Sequence, residues 1–173
     1  MQQLLVITFT SPDRPGIVDA LATVVRAHDG NWESSRMASL AGRFAGILQV
    51  AVDAERADDL IDALQRIEGM EVLVERGSEW IPAMNRLHLE LTGADRPGIV
   101  REVAHALADA GVNIEELETE TVEAPMSGGL LFRAIAELQA PESLPIEKLR
   151  ASLEAIAQDL MVEISLVGPA DAG

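Results

Sequence analysis

One six-residue motif, DRPGIV, occurs twice in this sequence, at residues 13–18 and again at residues 95–100. In each copy an aspartate and an arginine precede a Pro-Gly pair, after which apolar residues recur at helical spacing. The first turn of a helix carries unpaired N–H groups and a partial positive charge, which together favour a bound anion. The motif therefore predicts an anion site at the start of each helix.

Each charged side chain of the motif has one role in such a site and another without a ligand. Asp13 and Asp95 could cap the helix or accept hydrogen bonds from an ammonium group. Arg14 and Arg96 could attract a carboxylate. Asp-x-Pro is also a good helix opener that requires no ligand. On the motif alone, both interpretations stay open.

The glycine of the motif favours the ligand interpretation. Proline suits the first helical position, so the helices are expected to begin at Pro15 and Pro97. Gly16 and Gly98 would then lie inside a helix, where glycine costs about 1 kcal/mol relative to alanine. Because glycine leaves the backbone uncovered, the sequence predicts that a ligand approaches the chain at these two positions.

The motif belongs to a longer internal repeat. A shift of 82 positions aligns residues 4–33 with residues 86–115 and gives 11 identities in 30 positions without a gap. The chain is therefore a duplicated unit of roughly 80 residues. We predict a first domain at residues 1–79, a linker at 80–85 and a second domain at 86–173.

Apolar periodicity gives each unit the order strand, helix, strand, strand, helix, strand. Strands are predicted near residues 4–9, 32–40, 43–52, 70–75, 87–92, 114–122, 130–138 and 161–167, and the second helix of each unit near 57–67 and 146–160. This order predicts an α+β fold of two ferredoxin-like (βαββαβ) units, each an antiparallel sheet with two helices on one face. The second unit is expected to detour through EAPMSGG, residues 123–129, between its second and third strands.

An asparagine follows each motif at the same distance. Asn31 and Asn113 open the second strand of their units, where asparagine is also a common turn residue. Its side-chain carbonyl could accept a hydrogen bond from an ammonium group, which complements the anion site at the helix start. In this fold the two features meet only across neighbouring units or along one sheet edge.

No other group of residues indicates chemistry. His28, His88 and His105 lack the spacing of metal ligands, and Ser34 and Ser35 have no base nearby in sequence. No phosphate-binding loop is present. We therefore predict no enzyme, no metal site and no cofactor.

Composition limits the possible partners. The net charge of −16 disfavours direct binding to nucleic acid, and no basic patch offsets it. Cysteine is absent and no apolar run approaches the ~20 residues that span a bilayer. We expect a cytoplasmic protein without membrane contact, and the uncovered sheet faces favour a homo-oligomer.

The residues resemble those of a known family. VITFTSPDRPGIVDALATVV followed by GNWESSRMASLAGRFAGILQV is similar to the first ACT domain of the glycine cleavage system transcriptional repressors. ADRPGIVREVAHALADAGVNIEELETETVEAPMSGGLLF resembles the second. Asn31, Glu33, Ser35 and Arg36 match the family pattern, whereas Trp32 replaces the usual aliphatic residue, which would alter the volume of the pocket.

The resemblance implies a regulatory amino-acid sensor. It implies that a small amino acid such as glycine or serine is the effector and that the protein contacts a transcriptional activator. It places at the ligand the motif and the residues that open the second strand: Asp13, Arg14, Pro15, Gly16, Ile17, Asn31, Trp32, Asp95, Arg96, Pro97, Gly98, Ile99, Asn113 and Ile114. Two alternatives remain, namely a ligand-free ACT interaction module and a regulatory remnant of an enzyme such as a formyltetrahydrofolate deformylase.

Overall fold

The computed structural model describes residues 1–77, 84–124 and 129–168. The chain divides into two compact units, Met1–Trp80 and Ile81–Gly173. Most of the predicted linker, residues 80–83, and residues 125–128 of the predicted detour lie outside the described residues.

The first unit is a four-stranded antiparallel sheet with two helices. Its elements are β1 (Gln2–Pro12), α1 (Ile17–Ala27), β2 (Asn31–Leu40), β3 (Arg43–Asp53), a short 3-10 turn (Ala54–Arg56), α2 (Ala57–Gln65) and β4 (Glu71–Arg76). The strands lie in the order β2-β3-β1-β4. This confirms the predicted ferredoxin-like plan.

The second unit repeats that plan. Its elements are β5 (Met84–Ala94), α3 (Ile99–Asp109), β6 (Asn113–Glu123), β7 (Leu130–Pro141), α4 (Ile146–Leu160) and β8 (Val162–Val167). The strands lie in the order β6-β7-β5-β8. No helix within the described ranges is both long and apolar enough to cross a membrane.

Each core forms where alternate strand residues meet the apolar stripe of a helix. In the first unit the buried strand residues include Leu5, Ile7 and Phe9, which alternate along β1 and point towards the helices. In α1 the buried residues are Ile17, Leu21 and Val25. Burying a side chain of this size contributes about 1.5–3 kcal/mol. The core therefore fixes the position of the helix, and with it the start of α1.

The helices begin two residues later than the proline position predicts. They start at Ile17 and Ile99. Gly16 precedes α1 with φ 90° and ψ 2°, and Gly98 precedes α3 with φ 101° and ψ −12°. This is the conformation of the glycine in a Pro-Gly type II turn. The prediction that these glycines lie inside a helix is wrong, because each occupies a left-handed turn that L side chains rarely adopt.

Strands β2 and β6, each at one edge of its sheet, contain a one-residue bulge at equivalent positions. The extra residues are Glu33 in β2 and Glu115 in β6. Gln49 donates a hydrogen bond to Glu33 at 2.7 Å, and Gln139 donates one to Glu115. A bulge leaves one residue without a ladder partner, and here a glutamine from the adjacent strand holds that residue in place.

Candidate functional site

The first helix entry forms an open pocket of about 290 Å³. Its lining includes Asp13, Gly16, Val18, Asp19 and Phe44. The backbone N–H of Asp13 donates a hydrogen bond of 2.9 Å to the carbonyl oxygen of Gly42, which fixes the loop against the β2–β3 turn. The pocket therefore lies between the helix start and the β2–β3 hairpin.

The first turn of α1 is not capped by a side chain. No side-chain hydrogen bond caps α1 or α3 in the described structure, so Asp13 and Asp95 do not act as helix caps. Asp13 instead accepts a hydrogen bond from the hydroxyl of Ser39. A Cβ added at Gly16 would meet no atom within 4 Å. The first-turn amides therefore keep their capacity to bind an anion, and the space above the turn is open.

The arginines of the motif contact the end of the other helix in their unit. Arg14 donates to the carbonyl oxygen of Glu68, just after α2, at 3.3 Å. Arg96 donates to the carbonyl oxygen of Asp159, in the last turn of α4, at 3.0 Å. A cation at a helix C-terminus satisfies a free carbonyl and interacts favourably with the helix dipole. Both arginines therefore hold the motif loop against a neighbouring helix.

The second helix entry forms a pocket of about 310 Å³ with a different lining. Arg96, Gly98, Glu102, Asp159 and Leu160 contribute to it. This pocket faces α4, whereas the pocket of the first unit faces the β2–β3 hairpin. The same motif therefore borders two different recesses.

The charge at the helix start also differs between the units. The first turn of α1 contains Asp19, a pocket-lining carboxylate that repels an anion. At the matching position α3 has Arg101, which lies 3.5 Å from the carboxylate of Glu102. Glu102, also in the first turn of α3, lines the second pocket, so each pocket has one carboxylate from the first turn of its helix.

Asn31 and Asn113 do not join the helix entry of their own unit. Asn31 pairs with Ala51 near the end of β3, while the entry follows Pro12, which pairs with Arg43 at the start of β3. An 11-residue helix, about 16 Å long, separates Gly16 from Asn31. Asn113 has the matching position in β6, opposite Gln139. Ligand contact by either asparagine stays a prediction.

The other apolar candidates belong to the cores. Ile17 and Ile99 are 4 % and 2 % exposed and anchor the helix starts. Trp32 and Ile114 are partly buried and pack against the core of their units. Pro15 and Pro97 are exposed in the turn before each helix. Within its own unit, Trp32 lies at the sheet end away from the pocket, opposite Val50.

Three residues that line the first pocket, Val18, Asp19 and Phe44, are absent from the sequence-based candidates, as is Ser39, which contacts Asp13. Ser39 and Phe44 reach the site from the β2–β3 hairpin, more than twenty residues after the motif. The tight turn at Ala41 and Gly42, where both residues have positive φ, places them there. The Ala-Gly turn signal could have located the hairpin but not its contact with the motif loop.

The histidines make local contacts. His28 contacts the carbonyl of Val24, His105 lies 3.4 Å from Asp109, and His88 contacts Glu137 at 2.7 Å. The hydrogen bonds to Glu137 and then to Glu90 raise the pKa of His88. Within the described residues no group of three or more potential ligands could hold a metal ion.

The fold and the two helix entries define a protein of two tandem ferredoxin-like domains, each with a glycine turn before its first helix. Family models of the ACT domain match residues 3–75 and 88–154. The chain belongs to the ACT domain family. Membership supports a regulatory role in amino-acid sensing, and a chain of ACT domains favours a protein without catalytic activity.

Two solved structures cover nearly the whole chain. A protein of unknown function from Galdieria sulphuraria is 33% identical, with a TM-score of 0.89, and the match covers 97% of this chain and 99% of that one. A protein provisionally assigned as a glycine cleavage system transcriptional repressor is 19% identical, with a TM-score of 0.65 and 96% of each chain covered. The similarity to this second structure shows that the two proteins share a fold. The comparison with curated proteins gave no match.

Proposed function

We propose that this protein is a non-enzymatic regulator that binds a small amino acid, such as glycine or serine, at its helix entries. It then acts on a transcriptional regulator by protein–protein contact, and we place it in the cytoplasm, with which its lack of cysteine agrees. The observation that carries the proposal is the juxtaposition, in one open pocket, of uncapped first-turn amides and the carboxylate of Asp13.

The pocket offers complementary groups for both charges of an amino acid. First-turn amides bind the carboxylate, while Asp13, oriented by Ser39, accepts hydrogen bonds from the ammonium group. In the second unit Asp95 has the same place in the motif, and α3 likewise begins without a side-chain cap. We therefore propose one site in each unit.

The expected affinity suits a sensor of a metabolite pool. The best very small ligands gain about 1.5 kcal/mol per heavy atom, which for the five heavy atoms of glycine sets a limit near −7.5 kcal/mol. This limit corresponds to a dissociation constant in the micromolar range. A ligand held this weakly exchanges freely with the cellular pool.

Protein contact, rather than DNA contact, fits the electrostatics. The chain carries 29 acidic against 13 basic residues, and a surface of that sign repels the phosphate backbone. The solved structure assigned as a transcriptional repressor shares the tandem fold, which supports a regulator as partner. A pull-down from lysate with and without glycine or serine tests whether a partner is bound and whether an effector alters its binding.

Calorimetric titration with a panel of small amino acids tests the ligand proposal. Asp13→Asn and Asp95→Asn remove the acceptor charge, and loss of a hydrogen bond to a charged group costs about 1.5–3 kcal/mol, or roughly 10- to 150-fold in affinity. Asp19→Asn is the matched control, because it removes a repulsive charge from the first pocket and should leave affinity equal or raise it. If no amino acid gives heat at millimolar concentration, the ligand proposal fails.

One observation favours a second function for the first unit. Ser39 already uses one hydrogen-bonding position of Asp13. A unit with this arrangement could serve as a ligand-free interaction module while the second unit senses the amino acid. Titration of the Asp95→Asn variant separates the two cases, since a silent first unit leaves no binding in that variant.

A further inference from the structure

The sheet of the first unit exposes an apolar face on the side away from its helices. Strand pairing places Leu4, Val6, Thr8 and Thr10 of β1 on this face, because Leu5, Ile7 and Phe9 point into the core. Ile47 and Leu73 flank Thr8 on the adjacent strands, and their side chains are 48 % and 59 % exposed. We call this surface the open face.

The equivalent face of the second unit is charged along β5, although Ile135, at the position of Ile47, and Val167, at the position of Glu75, are exposed apolar residues. The matching positions hold Arg86 for Leu4, His88 for Val6, Glu90 for Thr8 and Ser165 for Leu73. The ferredoxin-like sheet therefore does not require apolar residues at these positions. Apolar side chains exposed together on one unit and replaced by charged or polar ones on its duplicate indicate a contact surface.

Charges of opposite sign border the open face on its two sides. Arg36 on β2 and Arg43 at the start of β3 lie on one side, since they pair with Ile47 and Pro12. Glu71 and Glu75 of β4 lie on the other side, opposite Thr10 and Val6. The strand order β2-β3-β1-β4 puts Arg36 and the two glutamates at opposite edges of the sheet, with Arg43 on the inner strand β3.

We propose that the open face binds the open face of a second copy of this chain. A two-fold axis parallel to the strands lays β2 of one copy over β4 of the other. Arg36 of each copy then lies over β4 of its partner, between Glu71 and Glu75, while Leu4, Val6 and Ile47 pack nearer the centre. The face is thus complementary to itself, as a symmetric dimer interface requires.

Charge and size both favour a weak homodimer through the first unit. Residues 1–80 carry 13 acidic and 7 basic side chains, whereas residues 81–173 carry 16 and 6, so the first unit is the less repulsive half. Four strands about 4.8 Å apart and the segment Leu4–Thr10 of β1, about 20 Å long, give a footprint of about 400 Å². This is roughly half the 800 Å² per partner of a stable interface, so we expect dissociation in the micromolar range.

Sedimentation velocity of the full chain between about 5 and 500 µM tests the proposal. The wild-type protein should shift from monomer to dimer across this range. The double variant Val6→His, Leu73→Ser, which introduces the residues of the second unit at the same positions, should stay monomeric. Ile135→Ser on the second unit is the matched control, because Ile135 is 45 % exposed at the position equivalent to Ile47 and should not alter the dimer.

A charge exchange tests the orientation of the two copies. Arg36→Glu and Glu75→Arg should each weaken the dimer, and the double variant should restore it, because opposite charges again face each other across the interface. A wild-type chain that stays monomeric at 500 µM, a dimer that survives the Val6→His, Leu73→Ser change, or a dimer lost on Ile135→Ser would overturn the proposal. Far-ultraviolet circular dichroism shows whether each variant is folded. If the double variant is unfolded, Leu73→Ser alone replaces it in the test.

Discussion

In the first unit the carboxylate of Asp13 accepts a hydrogen bond from Ser39, whereas in the second unit the carboxylate of Asp95 has no hydrogen bond or ion pair with any described residue. The residue of β6 at the position of Ser39 is Thr121, and the carboxylate of Asp95 accepts no hydrogen bond from it. The pockets at the two helix entries face different elements of the fold. Identical motifs on one fold therefore have different surroundings, because those surroundings come from residues outside the duplicated motif.

The features that the units share concern the backbone. Gly16 and Gly98 both have positive φ, and Arg14 and Arg96 both donate to a carbonyl at the end of the neighbouring helix. These contacts build the fold with or without a ligand. The shared motif is therefore evidence for a common loop geometry first, and differences in function between the units must come from the side chains that differ.

The cores differ in how tightly they are filled. The first unit has Phe9, Leu48 and Trp32 where the second has Leu91, Ala136 and Ile114. Beneath α3 these smaller residues line an apolar cavity of about 30 Å³. Such a gap removes dispersion contacts from its lining, so the second unit is expected to be the less stable of the two.

The largest expected effect comes from making the first core resemble the second. Leu48→Ala places alanine where the second unit has Ala136, and we expect a loss of about 2–5 kcal/mol from the transfer and cavity terms. Ala136→Val should instead stabilise the second unit by about 0.5–2 kcal/mol, as cavity filling does. Hydrogen exchange of β1 and β5 amides reports each unit separately, and equal protection in wild type would contradict the difference in core packing.

Substitution of the turn glycines should affect both units equally. Gly16→Ala and Gly98→Ala each force an L side chain into a left-handed conformation, at a cost of about 1–2 kcal/mol. Because φ is 90° and 101°, the two losses should agree closely. Gly42→Ala at φ 77° provides a control away from the helix start. An unequal pair, measured by urea denaturation, would show that one turn has a further role.

The arginine pair should give unequal losses. Arg96 is partly buried, whereas Arg14 is exposed. Arg14→Ala should cost about 0.3–1 kcal/mol and Arg96→Ala up to about 2 kcal/mol, the range for cations at helix C-termini. Lysine at either position keeps the charge and serves as a control. A larger loss at Arg14, measured by thermal unfolding, would reverse the ranking.

The smallest expected effect is a pH dependence confined to the second unit. The hydrogen bonds to Glu137 and Glu90 raise the pKa of His88 above its ordinary value of 6.5. The protonated imidazole therefore stabilises the fold fully below pH 6.5, and this contribution is lost as pH rises through the raised pKa. Because the pair is exposed, we expect a few tenths of a kcal/mol. His88→Val, which copies Val6, should abolish the dependence in hydrogen-exchange profiles of β5.

Periodicity predicts most of this fold from the sequence. The duplication and the apolar alternation give the element order of both units, and the stripe in α4 gives the bounds Ile146–Leu160. The helix starts are misplaced because proline is compatible both with a first helical turn and with a preceding turn. The Pro-Gly pair is typical of a type II turn and therefore indicates a turn before the helix.

The candidate site is predictable only in its local part. The motif identifies the loop at Asp13–Gly16, but Ser39 and Glu68 contact it from 26 and 54 residues away. Local sequence does not encode such contacts, because they depend on how the hairpin and the second helix pack. The position of Asn31 was not predictable either. It follows the motif closely in sequence, but the length of α1 separates the two in the fold.

The paired bulges at Glu33 and Glu115 indicate when the bulge arose relative to the duplication. Two independent insertions of one residue at one position of one strand are improbable, so the bulge dates from before the duplication, in a single-domain ancestor. The glutamines that hold the two glutamates occupy different positions, opposite Ser34 in one copy and Asn113 in the other. The irregularity was inherited, and each descendant acquired its own means of securing it.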